Sequence, residues 1–122
     1  MDLIGIIHQR IEVRMSNKTY VIDIDGTIFK TNGMDYENSV PIPERISKIN
    51  DLYDEGNIII YLTARGMGRN DNQYELARNQ FFDLTQSQLQ KFGAKYHELH
   101  LSKPAGDYYI DDKAVKDVDF FP

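Results

Sequence analysis

The sequence predicts an α/β protein, a parallel sheet with helices on both faces in a three-layer, Rossmann-like arrangement. Two observations carry this. Short apolar runs (YVIDI at 20–24, IIIYL at 58–62) alternate with segments of helical periodicity, and each run ends in polar residues. Such alternation gives parallel pairing through right-handed crossovers, which bring every strand's carboxyl end to one edge.

Taken in order, residues 1–14 (MDLIGIIHQRIEVR) have no clean period of two or of 3.6 and read as an extension outside the core, with Met15 as a natural start. Thr19 to Ile24 reads as a buried strand whose functional end is Asp23, and DGT after it is turn chemistry. A polar stretch, 30–39, follows. Pro41 and Pro43 then precede Ile42, Ile46, Ile49 and Leu52 at helical spacing, with Gly56 as a C-terminal cap. The apolar run 58–62, ending at Thr63, has the composition of a central strand covered on both faces. ARGMGRND leads into a helix from Tyr74 to Phe82, and Thr85 with Gln88 has the pattern of a capping box opening a second helix, closed by Gly93. Tyr96 to Leu101 and Tyr108 to Ile110 read as the third and fourth strands.

With 122 residues the chain has the length of one domain, able to bury roughly two thirds of the surface its unfolded form exposes. Hydrophobic residues at 41% and charged residues at 27%, with 8 Tyr and 6 Phe, argue for a folded globular protein rather than disorder. A net charge of -5 argues against nucleic acid as a partner. The absence of cysteine excludes disulfides and thiolate metal sites and suits a reducing compartment. No apolar run approaches membrane-spanning length and the first residues lack a signal-peptide pattern, so the expectation is a cytoplasmic protein with no membrane contact.

In a parallel sheet, ligands bind outside the carboxyl ends of the strands, and there Asp23, Asp25, Thr63, Lys103, Asp111 and Asp112 should converge. Two carboxylates about 4 Å apart repel by about 4 kcal/mol at an effective dielectric near 20, so a cation is required between them. Oxygen ligands without cysteine or a well-placed histidine favour Mg²⁺, which commonly bridges to a substrate phosphate. Thr63 could then donate to that phosphate, Lys103 could neutralise charge developing on it, and a carboxylate could attack, with a second carboxylate two residues on as acid and then base. Arg65, two residues after Thr63, could reach a leaving group, as could Arg69 further along. His97 and His100, three apart in a strand, fall on opposite faces and are structural.

VIDIDGT, YLTAR, SKP and YIDDKA together resemble the four ordered motifs of the haloacid dehalogenase superfamily, over residues 20–114. The resemblance implies a Mg²⁺-dependent phosphatase. In it Asp23 is nucleophile and metal ligand, and Asp25 is the general acid/base that also gives its backbone carbonyl to the metal. Asp111 and Asp112 complete the metal site, Asp112 directly or through water. Gly26, Thr27, Thr63, Ala64, Arg65 and Lys103 line the phosphate. The intervals from Asp25 to Thr63 and from Thr63 to Lys103 are too short for a cap domain, so the implied enzyme is capless, its missing wall supplied by a bulky substrate or by a second copy in a homo-oligomer. In this short form it resembles small bacterial and phage phosphatases associated with capsule or surface-polysaccharide genes, which points to a sugar phosphate or another small phosphorylated metabolite. Alternatives are a polynucleotide 3'-phosphatase or a phosphotransferase of the same superfamily. A receiver-like signalling domain uses similar residues, but in a different order.

Overall fold

The computed structural model describes residues 17–122. The expectation for 1–14 lies outside them. The first strand, β1, runs over Thr19–Ile22. It is followed by a two-residue antiparallel pair, β2 (Phe29–Lys30) with β3 (Val40–Pro41), which forms a small flap above the end of β1. Helix α1 covers Pro43–Asp54, β4 covers Ile58–Leu62, α2 covers Tyr74–Lys91, β5 covers Glu98–His100 and a short α3 covers Asp117–Phe120.

The main sheet has the order β1-β4-β5, parallel throughout, with Thr19 opposite Ile58 and Ile60 opposite Glu98. The protein is thus mixed α/β, with a parallel three-stranded sheet flanked by helices, an arrangement of the Rossmann-like kind. Both crossovers step in the same direction across the sheet, so right-handed connections place α1 and α2 on one face. The burial pattern agrees. Tyr20, Ile22, Ile59 and Tyr61 point into a core completed by Ile46 and Ile49 of α1 and Leu89 of α2, while Val21 on the opposite face is 59% exposed and Ile58 also faces outward. The expected third layer is not formed among the described residues, because the chain has two long helices there and both cross on the same side. None of their helices is long and apolar enough to cross a membrane.

Helix α1 forms as its sequence dictates. Proline occupies its first turn, where a missing N–H costs nothing, Ile46 and Ile49 share the buried face, and Gly56 ends it at φ +97°. The segment 74–91 is one helix rather than two. It contains neither Gly nor Pro, and the Thr85 hydroxyl donates within the helix to the Phe81 carbonyl (2.7 Å) instead of capping a new one.

The expected fourth strand is also absent. Tyr108 and Ile110 are 86% and 97% exposed. Local hydrogen bonds close this stretch on itself: the Tyr109 hydroxyl donates to the Pro104 carbonyl (2.7 Å) and accepts from the Gly106 N–H (3.1 Å), and the Asp111 carboxylate accepts from the Lys113 N–H (2.8 Å). The chain is tied down again at α3. There Asp117 pairs with Arg45 (2.8 Å), Lys48 donates to the Phe120 carbonyl, and the Phe120 ring packs on Tyr20.

Candidate active site

The turn after β1 is built from its own backbone. Thr27, Ile28 and Phe29 all donate N–H groups to the Ile24 carbonyl, and Gly26 supplies the positive φ of +81° that this reversal needs. Asp23 is thereby presented at the carboxyl edge of the sheet. Its Oδ2 accepts the Thr27 hydroxyl (3.0 Å) and its Oδ1 lies 3.5 Å from Lys103 Nζ. Burial raises the Asp23 carboxyl above the usual aspartate range; Lys103, the Thr27 hydroxyl and the backbone at Ile24 pull against that without overcoming it. The group is therefore an aspartate held in a site of reduced hydration.

Lys103 is placed by the sheet. The Thr63 N–H donates to the His100 carbonyl (2.9 Å), and the Lys103 N–H in turn donates to the Thr63 carbonyl (3.2 Å), so both residues are fixed where β4 and β5 end. The Lys103 ammonium also lies 4.2 Å from the Tyr109 ring centroid. Thr63 is buried, and its hydroxyl accepts the Arg65 N–H at 3.2 Å; Ala64 follows in the same turn, its carbonyl accepting the Met67 N–H. Arg45 reaches the turn after β1, donating to the Thr27 carbonyl (3.0 Å) as well as to Asp117, whose carboxyl it holds below the usual range.

Arg65 departs from expectation. Its guanidinium is not turned outward to a leaving group but is buried, with every N–H engaged. Nε donates to Asp25 Oδ2 (2.8 Å), and Nη2 to Asp25 Oδ1 (2.8 Å) and the Ser39 hydroxyl (3.3 Å). Nη1 donates to Thr85 Oγ1 (3.1 Å) and Gln88 Oε1 (2.6 Å). Tyr36 lies against its face at 4.9 Å. Gly66, next in sequence, allows the close approach to α2. It has φ +78°, and a Cβ there would stand 2.7 Å from Phe81 Cδ2. Thr31 adds a third hydrogen bond to Asp25, at Oδ1 (2.6 Å). The sequence draws no attention to Thr31, Ser39 and Tyr36, and it offers Thr85 and Gln88 only as a capping box; nothing in TNGMDYENS or in a helix-spaced Thr and Gln announces a shared partner. Arg69 stacks on Phe81 (4.9 Å) at the surface.

The edge thus assembles Asp23, Asp25, Thr27, Thr63 and Lys103. It does not assemble Asp111 and Asp112, which lie exposed in the self-closed stretch after Tyr109. The two histidines have separate structural roles, as expected. His97 Nδ1 accepts the Ile59 N–H (3.0 Å) and its ring stacks on Tyr53, while His100 pairs with Glu98.

Among solved structures, the chain is similar to a structural-genomics target from Vibrio cholerae, with a TM-score of 0.78 and 28% sequence identity over 84% of this chain and 86% of that one. No protein-family model matches the sequence, and no curated protein matches it. The likeness supports the α/β fold over most of the chain and carries no activity with it.

Proposed function

We propose that the chain is a phosphomonoester hydrolase of the haloacid dehalogenase type, working through an aspartyl-phosphate on Asp23. The observation that carries this reading is the pairing at the carboxyl edge of the sheet. A half-buried Asp23 carboxylate accepts the Thr27 hydroxyl and faces the Lys103 ammonium, with Asp25 two residues on. In the first step an Asp23 oxygen attacks phosphorus, the bond to the leaving oxygen breaks, and that oxygen takes a proton carried by Asp25, which is left as the carboxylate that Arg65 balances. In the second step water attacks the aspartyl-phosphate, its proton passes to Asp25, and Asp23 leaves as carboxylate. Lys103 offsets charge on the transferring group.

Magnesium is where the reading and the arrangement of side chains disagree. Lys103 balances Asp23 and Arg65 balances Asp25, so a phosphate dianion would bring charge that nothing at the edge offsets. The charge balance asks for a divalent cation. Yet no three Asp, Glu, His or Cys side chains stand close enough to hold one among the described residues, and Asp111 and Asp112 are turned to solvent. The residues as placed do not fit the ion.

The intervals before and after Thr63 hold the flap, one helix and one strand, then one helix and one strand, with no covering domain between them. This is the ground for reading the enzyme as capless, and for a sugar phosphate or similar small phosphorylated substrate, with a second copy of the chain as the missing wall. Release of phosphate from 4-nitrophenyl phosphate, with Mg²⁺ and with chelator, followed by a panel of sugar phosphates and a 3'-phosphorylated oligonucleotide, tests the reading. Phosphate release, lost in Asp23→Asn, is expected, and the Mg²⁺ and chelator arms decide whether the ion takes part. No release from any ester, or an active Asp23→Asn protein, would refute it.

A further inference from the structure

A buried guanidinium with all its hydrogens placed is a rigid object, and here it holds one carboxylate. Among the described residues, Asp25 Oδ1 accepts two hydrogen bonds, from Arg65 Nη2 and the Thr31 hydroxyl, whereas Oδ2 accepts one, from Arg65 Nε. Oδ2 is therefore the oxygen with room for a proton, and its direction is set by the Arg65 fork. The fork is itself anchored away from the reacting edge. Nη1 is held by Thr85 and Gln88 on α2, Nη2 touches Ser39 at the foot of the flap, and Gln88 Nε2 donates to the Tyr36 carbonyl (2.6 Å), closing the ring of contacts between helix and flap. From this geometry we infer that Arg65 is a positioning residue for the hydrolytic half of the reaction, aiming Asp25 Oδ2 to accept the proton of the water that attacks phosphorylated Asp23. The inference rests on the phosphoryl-transfer reading above and adds which half-reaction the buried fork serves.

The two halves separate with 4-nitrophenyl phosphate, whose leaving group departs without needing a proton. Loss of the Arg65 fork should leave phosphorylation of Asp23 within about threefold of wild type while slowing hydrolysis of the aspartyl-phosphate tenfold or more, toward the range of about a hundredfold that a positioned proton acceptor supplies. In rapid-quench kinetics, Arg65→Lys, which keeps the charge and loses the fork, should show a nitrophenolate burst rising toward one per protein. It should also show a low steady-state rate and a fallen KM, and hydroxylamine should trap the accumulated aspartyl-phosphate as the Asp23 hydroxamate, releasing phosphate once per protein and then ending turnover. Equal slowing of burst and steady state would overturn the inference and leave Arg65 as packing alone, with the phosphatase reading intact. If wild type releases no nitrophenolate at all, with or without Mg²⁺, both fall together. Should Arg65→Lys fail to melt cooperatively, Gln88→Met carries the test. It removes the shortest anchor of Nη1 without touching Asp25, and a burst of the same kind, with a smaller fall in the steady-state rate, is expected; an unchanged partition there would equally overturn the inference.

Discussion

Replacing Lys103 by methionine removes one charge while keeping a linear side chain against the Tyr109 ring. With Nζ at 3.5 Å from Asp23 Oδ1, Coulomb's law gives about 1 kcal/mol at the dielectric of water and about 5 kcal/mol at an effective dielectric of 20. The side chains of Lys103 and Asp23 are 21% and 33% exposed, so solvent screening places the interaction between these limits, near 2–3 kcal/mol. That is about a hundredfold in kcat/KM if Lys103 acts on the charge of the transferring phosphoryl group. A second effect has a definite sign. In the proposed reaction Asp23 must be ionised to attack; burial already raises its carboxyl, and Lys103 is the largest influence lowering it. Without Lys103 the carboxyl rises further, so the acid limb of the kcat/KM profile moves to higher pH and the loss is greater on the acid side than above neutrality. The assay is kcat/KM for an aryl phosphate across acidic to neutral pH. A profile that drops without shifting would mean that Lys103 does not act on Asp23, and an unchanged kcat/KM would remove it from the chemistry.

Asp23→Asn should cost at least about a thousandfold in turnover. Since burial makes the ionised Asp23 unfavourable, a carboxyl raised in the fold contributes stability below its unfolded range that is lost as pH rises through the folded value, so the same variant should raise Tm at neutral pH and not at acidic pH, measured by calorimetry. Tyr61→Phe should stabilise by about 1–3 kcal/mol, because the Tyr61 hydroxyl is buried with no hydrogen-bond partner among the described residues; a urea midpoint that falls would show that the hydroxyl is satisfied. Gly66→Ala should destabilise by about 1–3 kcal/mol, combining positive-φ strain with the clash against Phe81, and should lower activity through the adjoining Arg65; a Tm equal to wild type would refute the close packing of this turn on α2.

The sequence revealed most where a residue's own chemistry decides local structure. Pro43, the spacing of Ile46 and Ile49, and Gly56 define α1; the apolar run 58–62 defines β4; and the DGT turn places Asp23. It misled where the outcome depends on competition for a hydrogen bond. Thr85 and Gln88 have the spacing of a capping box, yet one bonds back into its own helix and both serve Arg65. YYI has the composition of a strand, but three residues carry no information on which edge they would pair with, and the hydroxyl of Tyr109 finds partners a few residues away. Arg65 was visible as a charge near the site, whereas its burial follows from Gly66, Tyr36 and the flap, which no local pattern links to it. The same limit applies to the sheet's open face: alternating exposure along β1 and β4 is a property of what covers them, not of IIIYL itself.

The stretch from 102 to 116 is fastened at both ends, by Lys103 to the end of β4 and by Asp117 to Arg45. Asp111 and Asp112 are thus leashed carboxylates. Held on a short loop whose ends are fixed, they are offered to the sheet edge at an effective concentration on the order of millimolar, and lengthening the loop twofold would change the entropy of closing it by only about 0.6 kcal/mol. Their distance from Asp23 is therefore a matter of the few hydrogen bonds that Tyr109 and Asp111 make locally. The affinity of this protein for a cation would be read out through those bonds as much as through its carboxylates.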